Sequence, residues 1–136
     1  MKKKYNIMTK GFHKNCFACG EYSPSGLKLK YTLCGNTLTG KFKIPDNYQG
    51  YDDILHGGII ATILDSSMVN LFYKKDGLTL KTAKLNIIFR KSVPINKRFI
   101  VTATIDDTER HFFNKAKSQI KIGDTVFAEA EGYFRK

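Results

Sequence analysis

From Ile59 to about Lys75 the apolar residues Ile60, Ile63, Leu64, Met68, Leu71 and Phe72 recur at steps of three and four, the spacing that gathers side chains on one face of an α-helix. Asp76-Gly77 closes the pattern, because glycine readily takes the left-handed conformation just past a helix C-terminus. No other segment predicts a helix convincingly. Leu27 to Cys34 and Thr37 to Ile44 predict two strands joined by Gly35-Asn36, a pair that tolerates the positive φ of a two-residue hairpin turn. In the second of them Leu38, Gly40, Phe42 and Ile44 share a face. After the helix, Thr79 to Arg90, Phe99 to Asp106, His111 to Ile122 and Thr125 to Arg135 carry alternating or β-rich patterns. The alternation is cleanest where Ala116, Ser118, Ile120 and Ile122 lie opposite Lys115, Lys117, Gln119 and Lys121, and Gly123-Asp124 marks a hairpin between the last two strands.

Two strands, one long apolar helix and four further strands predict an α+β domain in which a sheet of about six antiparallel strands wraps around one central helix. Residues 1–26 read as an irregular segment with a turn-rich Ser23-Pro24-Ser25-Gly26, and the folded domain is expected over 27–136, a length that suits one hydrophobic core. A lone copy leaves sheet surface and edge strands exposed, which predicts a homodimer that pairs edges.

The formal charge of +11 attracts polyanions: nucleic acid, an acidic membrane surface or a small ligand carrying several phosphates. Lysines and arginines are spread from Lys2 to Lys136 without a dense block, which argues against nucleic acid as partner. No apolar run approaches the length of about 20 residues that a membrane span needs. Met1-Lys2-Lys3-Lys4-Tyr5-Asn6 lacks the apolar stretch of a signal peptide, so a soluble cytoplasmic protein without a membrane partner is expected. Three cysteines, an odd number, argue against a disulfide framework. Cys16-Phe17-Ala18-Cys19 has zinc-ligand spacing that His13 and Cys34 would complete. A single C-x-x-C nevertheless reads more simply as small half-buried residues in a loop, and neither metal nor organic cofactor is expected.

The chemistry concentrates in His56-Gly57-Gly58-Ile59-Ile60-Ala61-Thr62-Ile63-Leu64-Asp65, where paired glycines open the helix and a carboxylate follows inside it. A helix N-terminus offers unpaired amides with a partial positive charge, and glycines admit a carbonyl oxygen, so the amides of Gly57 and Gly58 suit an oxyanion. Asp65 lies roughly 100° around the helix from Leu64, where it can reach the rim of a pocket completed by a second subunit. It is the candidate general base or nucleophile, against the plainer reading of an exposed aspartate or one paired with a lysine. His56 is read as positioning the glycine loop rather than as an independent base.

His56-Gly57-Gly58 with Asp65 nine residues after the histidine, the strand Thr82-Ala83-Lys84-Leu85-Asn86-Ile87, and the opening Cys16-Phe17-Ala18-Cys19-Gly20 with Pro24 and Gly26-Leu27 resemble the hotdog-fold thioesterases of the PaaI-like group. The resemblance spans nearly the whole chain. It implies a hotdog fold, hydrolysis of acyl-coenzyme A to free acid and CoA, active sites between two subunits of a dimer, and assembly as a dimer or a dimer of dimers. It also implies Gly57 as the main oxyanion donor and a role for the Thr82 hydroxyl toward the attacking water or Asp65, although a β-branched strand residue needs no such duty. Several of these enzymes carry an asparagine six residues before the histidine, where this chain has Gly50; Gln49 or Asn47 is the alternative candidate to supply the amide. Arg90 and Lys91, with Lys97 and Arg98 across the next loop, are candidates for the CoA phosphates, or simply solvated loop cations. A rival reading is a non-catalytic acyl-CoA sensor, which has no need of a carboxylate beside a polarised carbonyl. A hydratase on the same fold resembles a different motif.

Overall fold

The structure, a computed structural model, describes residues 12–107 and 114–136. Strands β1 (Thr32–Cys34) and β2 (Thr37–Phe42) precede a short 3-10 turn (Asp46–Tyr48) and the helix α1 (Gly57–Asp76). Strands β3 (Lys81–Phe89), β4 (Phe99–Ile105), β5 (Asn114–Ile122) and β6 (Thr125–Arg135) follow. They form one sheet in the order β1-β2-β4-β5-β6-β3 with every neighbouring pair antiparallel. The sheet packs against α1, the hotdog arrangement that the resemblance implies. Both anticipated hairpins are present, with Gly35 at φ 62 and Gly123 at φ 61. Among the described residues no helix is long and apolar enough to cross a membrane.

The expected helix face, Ile60, Ile63, Leu64, Met68, Leu71 and Phe72, is buried, but burial goes further than the periodicity predicts. Every residue from Ile63 to Phe72 except Asp65 is buried, Ser66, Ser67 and Asn70 included. These polar groups enter the core because each finds a partner: Ser67 Oγ lies 2.6 Å from Ser118 Oγ and 2.6 Å from the Leu64 carbonyl, and Asn70 donates to the Ser66 carbonyl at 2.8 Å. The N-terminal segment covers part of the helix that the sheet leaves open. Phe12 stacks on Tyr73 with centroids 3.8 Å apart, and Ala18 is part of the core, so the packed interior reaches well before Leu27. The first eleven residues of the segment read as irregular lie outside the described residues.

The first strand begins later than its pattern suggests. Lys28 sits at φ 54 and the Leu29 amide turns to the Ala18 carbonyl, so the ladder of β1 starts only at Thr32 although Leu29, Tyr31 and Leu33 alternate inward. The start anticipated at His111 lies outside the described residues, and β5 is seen from Asn114. Strand β3 pairs only with β6 and forms a largely exposed edge carrying Ile88 and Phe89, both about half exposed. Its register shifts between Thr82 and Lys84, leaving Ala83 as an extra residue. Thr82 pairs with Phe134, Leu85 with Gly132 and Ile87 with Ala130, all three partners buried on the helix side.

Candidate functional site

The chain enters α1 through a loop closed on itself. Gly50 N–H donates to the Ile54 carbonyl at 2.9 Å, Asp53 N–H to Gln49 Oε1 at 3.0 Å, and His56 N–H to the Tyr48 carbonyl at 3.0 Å. His56 is thereby fixed as the residue capping the helix. Its Nδ1 accepts the Gly58 N–H at 2.8 Å, which places the neutral ring's proton on Nε2. The amides of Ile59 and Ile60 both reach the His56 carbonyl. Of the first-turn donors that leaves Gly57 N–H without an acceptor among the described residues. Gly58, paired with Gly57 as an oxyanion donor in the sequence reading, spends its amide on the cap instead. A Cβ on Gly58 would stand 3.0 Å from His56 Nδ1, so the bare glycine lets the imidazole close over the helix end.

Gly57 opens into a groove of about 550 Å³ whose walls include Tyr51, His56, Phe89, Arg90 and Lys91. A Cβ at position 57 would meet the Phe89 ring at 3.7 Å, an ordinary contact that sets an apolar wall beside the free amide. Gly50 borders the same groove, and a Cβ there would lie 3.4 Å from the His56 ring, so a side chain at this position would start against the capping histidine. Gln49 has its carbonyl oxygen committed to the loop, and Asn47 is exposed on the 3-10 turn. Arg90 donates its Nε to Glu129, whereas Lys91 stays exposed at the groove wall; Lys97 and Arg98 are exposed in the following loop.

Asp65 is the half-buried interruption in the helix's buried stretch, and Thr82 Oγ1 donates to its Oδ1 at 2.6 Å. Burial holds the Asp65 carboxyl above the usual carboxylate range, with the Thr82 hydrogen bond and the charge of His13 opposing the shift. The sequence suggests His13 only as a metal ligand; in the structure its charge acts on Asp65, and its own burial lowers its pKa. Asp65 and Gly57 are eight residues apart on one helix, about 12 Å along its axis, and Asp65 is not among the residues lining the Gly57 groove. A single chain thus holds the donor and the acid at separate places.

His13, Cys16 and Cys19 come together with their ligand atoms all within 4.8 Å of one another, whereas Cys34, the fourth candidate, is exposed on β1 and outside this group.

No protein-family model matches the chain. It is 32% identical over 89 residues to the bovine acyl-coenzyme A thioesterase THEM4, a match covering 65% of this chain and 36% of that protein. The mouse protein of the same name is 28% identical over 116 residues, 82% of this chain and 50% of its own length. The chain therefore spans half or less of the curated relatives it matches. Among solved structures, a phenylacetic acid degradation-related protein from Ralstonia eutropha superposes with a TM-score of 0.72 at 15% identity, covering 96% of this chain and 97% of that one. The smu.793 protein of Streptococcus mutans, solved with bound acetyl CoA, does so with a TM-score of 0.67 at 15% identity over 78% of this chain and 86% of its own. A six-stranded antiparallel sheet around one long helix gives the chain the hotdog fold of these solved structures, and the two sequence relatives it resembles are named acyl-coenzyme A thioesterases.

Proposed function

We propose that the chain is a PaaI-like acyl-CoA thioesterase that hydrolyses its substrate to free acid and CoA at sites shared by two subunits. The observation that carries the reading is the Gly57 amide, the first-turn donor left without an acceptor among the described residues, set in a groove with an apolar wall and cations at its side. An amide at a helix N-terminus polarises a thioester carbonyl and stabilises the oxyanion formed on attack. Asp65 of the other subunit acts as general base toward water, a role served by its raised pKa, and the Thr82 hydrogen bond holds the carboxylate in one orientation. Lys91 attracts the CoA phosphates; Arg90, already engaged by Glu129, adds less.

Pairing through β3 supplies the geometry. An antiparallel β3–β3 contact lays the Thr82 end of one strand beside the Phe89 end of its copy, which brings Asp65, held by Thr82, toward the groove that Gly57 shares with Phe89. It also satisfies the edge that β3 exposes. A homodimer is sufficient for this site, and a dimer of dimers repeats it.

The acyl-CoA names of the relatives and the acetyl CoA bound to a structural neighbour support this substrate class. The test is thiol release from short, long and aromatic acyl-CoA esters by the native chain and by Asp65→Asn. Turnover lost in the variant with binding retained is the expected result. Tight binding without any thiol release by the native chain would instead mark a sensor.

A further inference from the structure

Beyond thioester chemistry, we propose that His13, Cys16 and Cys19 form a binding site for one soft divalent metal ion, best matched by zinc, which staples the N-terminal segment to α1. The donor set is one imidazole nitrogen and two sulfurs, the ligand types that zinc takes in tetrahedral sites. Their mutual distances suit it. Donors around tetrahedral zinc stand about 3.5–3.8 Å apart for bonds of about 2.0–2.3 Å. His13 Nδ1 and Cys19 Sγ are already 3.7 Å apart, with Cys16 Sγ inside the same 4.8 Å group. Closing around an ion then needs only side-chain adjustment. Among the described residues no fourth protein ligand joins the three, since Cys34 lies outside the cluster, and solvent or another small ligand can complete the coordination.

The backbone is arranged around these donors. Gly20 N–H donates to the Cys16 carbonyl at 2.7 Å, and Ala18 N–H points at Cys16 Sγ at 3.4 Å, an amide contact that favours the thiolate a metal requires. A Cβ on Gly20 would fall 2.5 Å from both Cys16 N and the Lys14 carbonyl and 2.6 Å from the His13 carbonyl, so the turn that gathers the three side chains closes only over glycine. His13 occupies a left-handed conformation at φ 50, and its ring is held flat against Phe12 with centroids 4.1 Å apart. Phe12 in turn stacks on Tyr73 of α1. Such outer contacts orient the ligands of metal sites. An unligated pair of cysteines has no use for a strained histidine turned toward it.

Binding converts each thiol to a thiolate with release of its proton. The full chain, reduced and freed of metal by chelation, is to be titrated anaerobically with Co²⁺. Thiolate-to-cobalt charge-transfer absorption saturating at about one equivalent is expected, with Zn²⁺ displacing the cobalt. Cys16→Ser and Cys19→Ser should lose the charge-transfer band, His13→Asn should weaken binding at least about tenfold, and Cys34→Ser should behave as the native chain. Far-UV circular dichroism confirms that each variant is folded, and metal content of freshly isolated native protein gives a reading free of any variant. Absence of the band in native protein, its persistence in both cysteine variants, or isolation of a metal-free Cys16–Cys19 disulfide that takes up no metal after reduction would overturn the proposal. None of these readouts depends on thioesterase activity, so failure here and failure of the proposed function are distinguishable.

Discussion

Thr82 Oγ1 and Asp65 Oδ1 lie 2.6 Å apart, a hydrogen bond from an edge strand to the half-buried carboxylate of the central helix. The bond counters the burial that raises the Asp65 pKa. Thr82→Val therefore shifts the acidic limb of the kcat/KM profile to higher pH and lowers kcat by about tenfold or more, in the range for an impaired general base. Thr82→Ser restores both. Steady-state rates from pH 4 to 9 check the pair.

Asp65→Asn removes turnover and raises stability by about 1 kcal/mol, as is common when an ionisable active-site group is neutralised. A carboxyl whose folded pKa is raised contributes stability that is fully present below its unfolded value and is lost as pH rises through the folded value. The stability gap between variant and native chain should accordingly open above the ordinary carboxylate value of 3.8 and level off once the folded group has ionised. Urea denaturation at a series of pH values reads this gap. An unchanged gap across the series would place Asp65 in an unperturbed setting.

Proline at position 57 deletes the proposed oxyanion donor and little else. Gly57 is the first residue of α1, where proline is well tolerated, and His56 at φ −58, ψ 134 is compatible with a following proline. Gly57→Pro should fold with near-native Tm and lose on the order of 10²–10³ in kcat. Near-native turnover would remove Gly57 from the mechanism.

Mixing two dead variants tests the shared site. Gly57→Pro and Asp65→Asn subunits, unfolded and refolded together, form mixed dimers in which one of two sites is intact, so roughly a quarter of native activity should return. No recovery, with mixed dimers demonstrated by differential tagging, would locate both groups within one subunit.

His56 contributes to stability through its contact with Gly58 N–H. His56→Ala should cost about 1 kcal/mol, and His56→Asn, which supplies another capping acceptor, should recover most of it. Thermal melts of the three proteins decide the point.

Sequence and structure agree most closely where a residue's neighbours are local. The three- and four-residue steps of Ile60, Ile63, Leu64, Met68, Leu71 and Phe72 pick out α1, and Gly77 ends its pattern at the observed left-handed cap. Ser66, Ser67 and Asn70 escape such a reading because polar residues enter a core only when a distant partner such as Ser118 waits for them. Lys28 likewise breaks the first ladder through a backbone conformation that its side chain does not announce. At the site, the positions of Gly57 and Asp65 are visible in the motif. The loss of the Gly58 amide to His56 and the approach of His13 to Asp65 depend on ring placement and a crossing segment, which spacing along the chain does not encode.

The additional residue at Ala83 reverses the phase of β3. Counted back from Leu85 and Ile87, a regular strand would aim Ala83 at the helix and send the Thr82 hydroxyl to the opposite side of the sheet, out of reach of Asp65. The alternation of this strand and the location of the hydroxyl bonded to Asp65 are thus separate properties. Mutational drift along the outer half of β3, where the second copy is expected to dock, can proceed without disturbing which oxygen meets the acid.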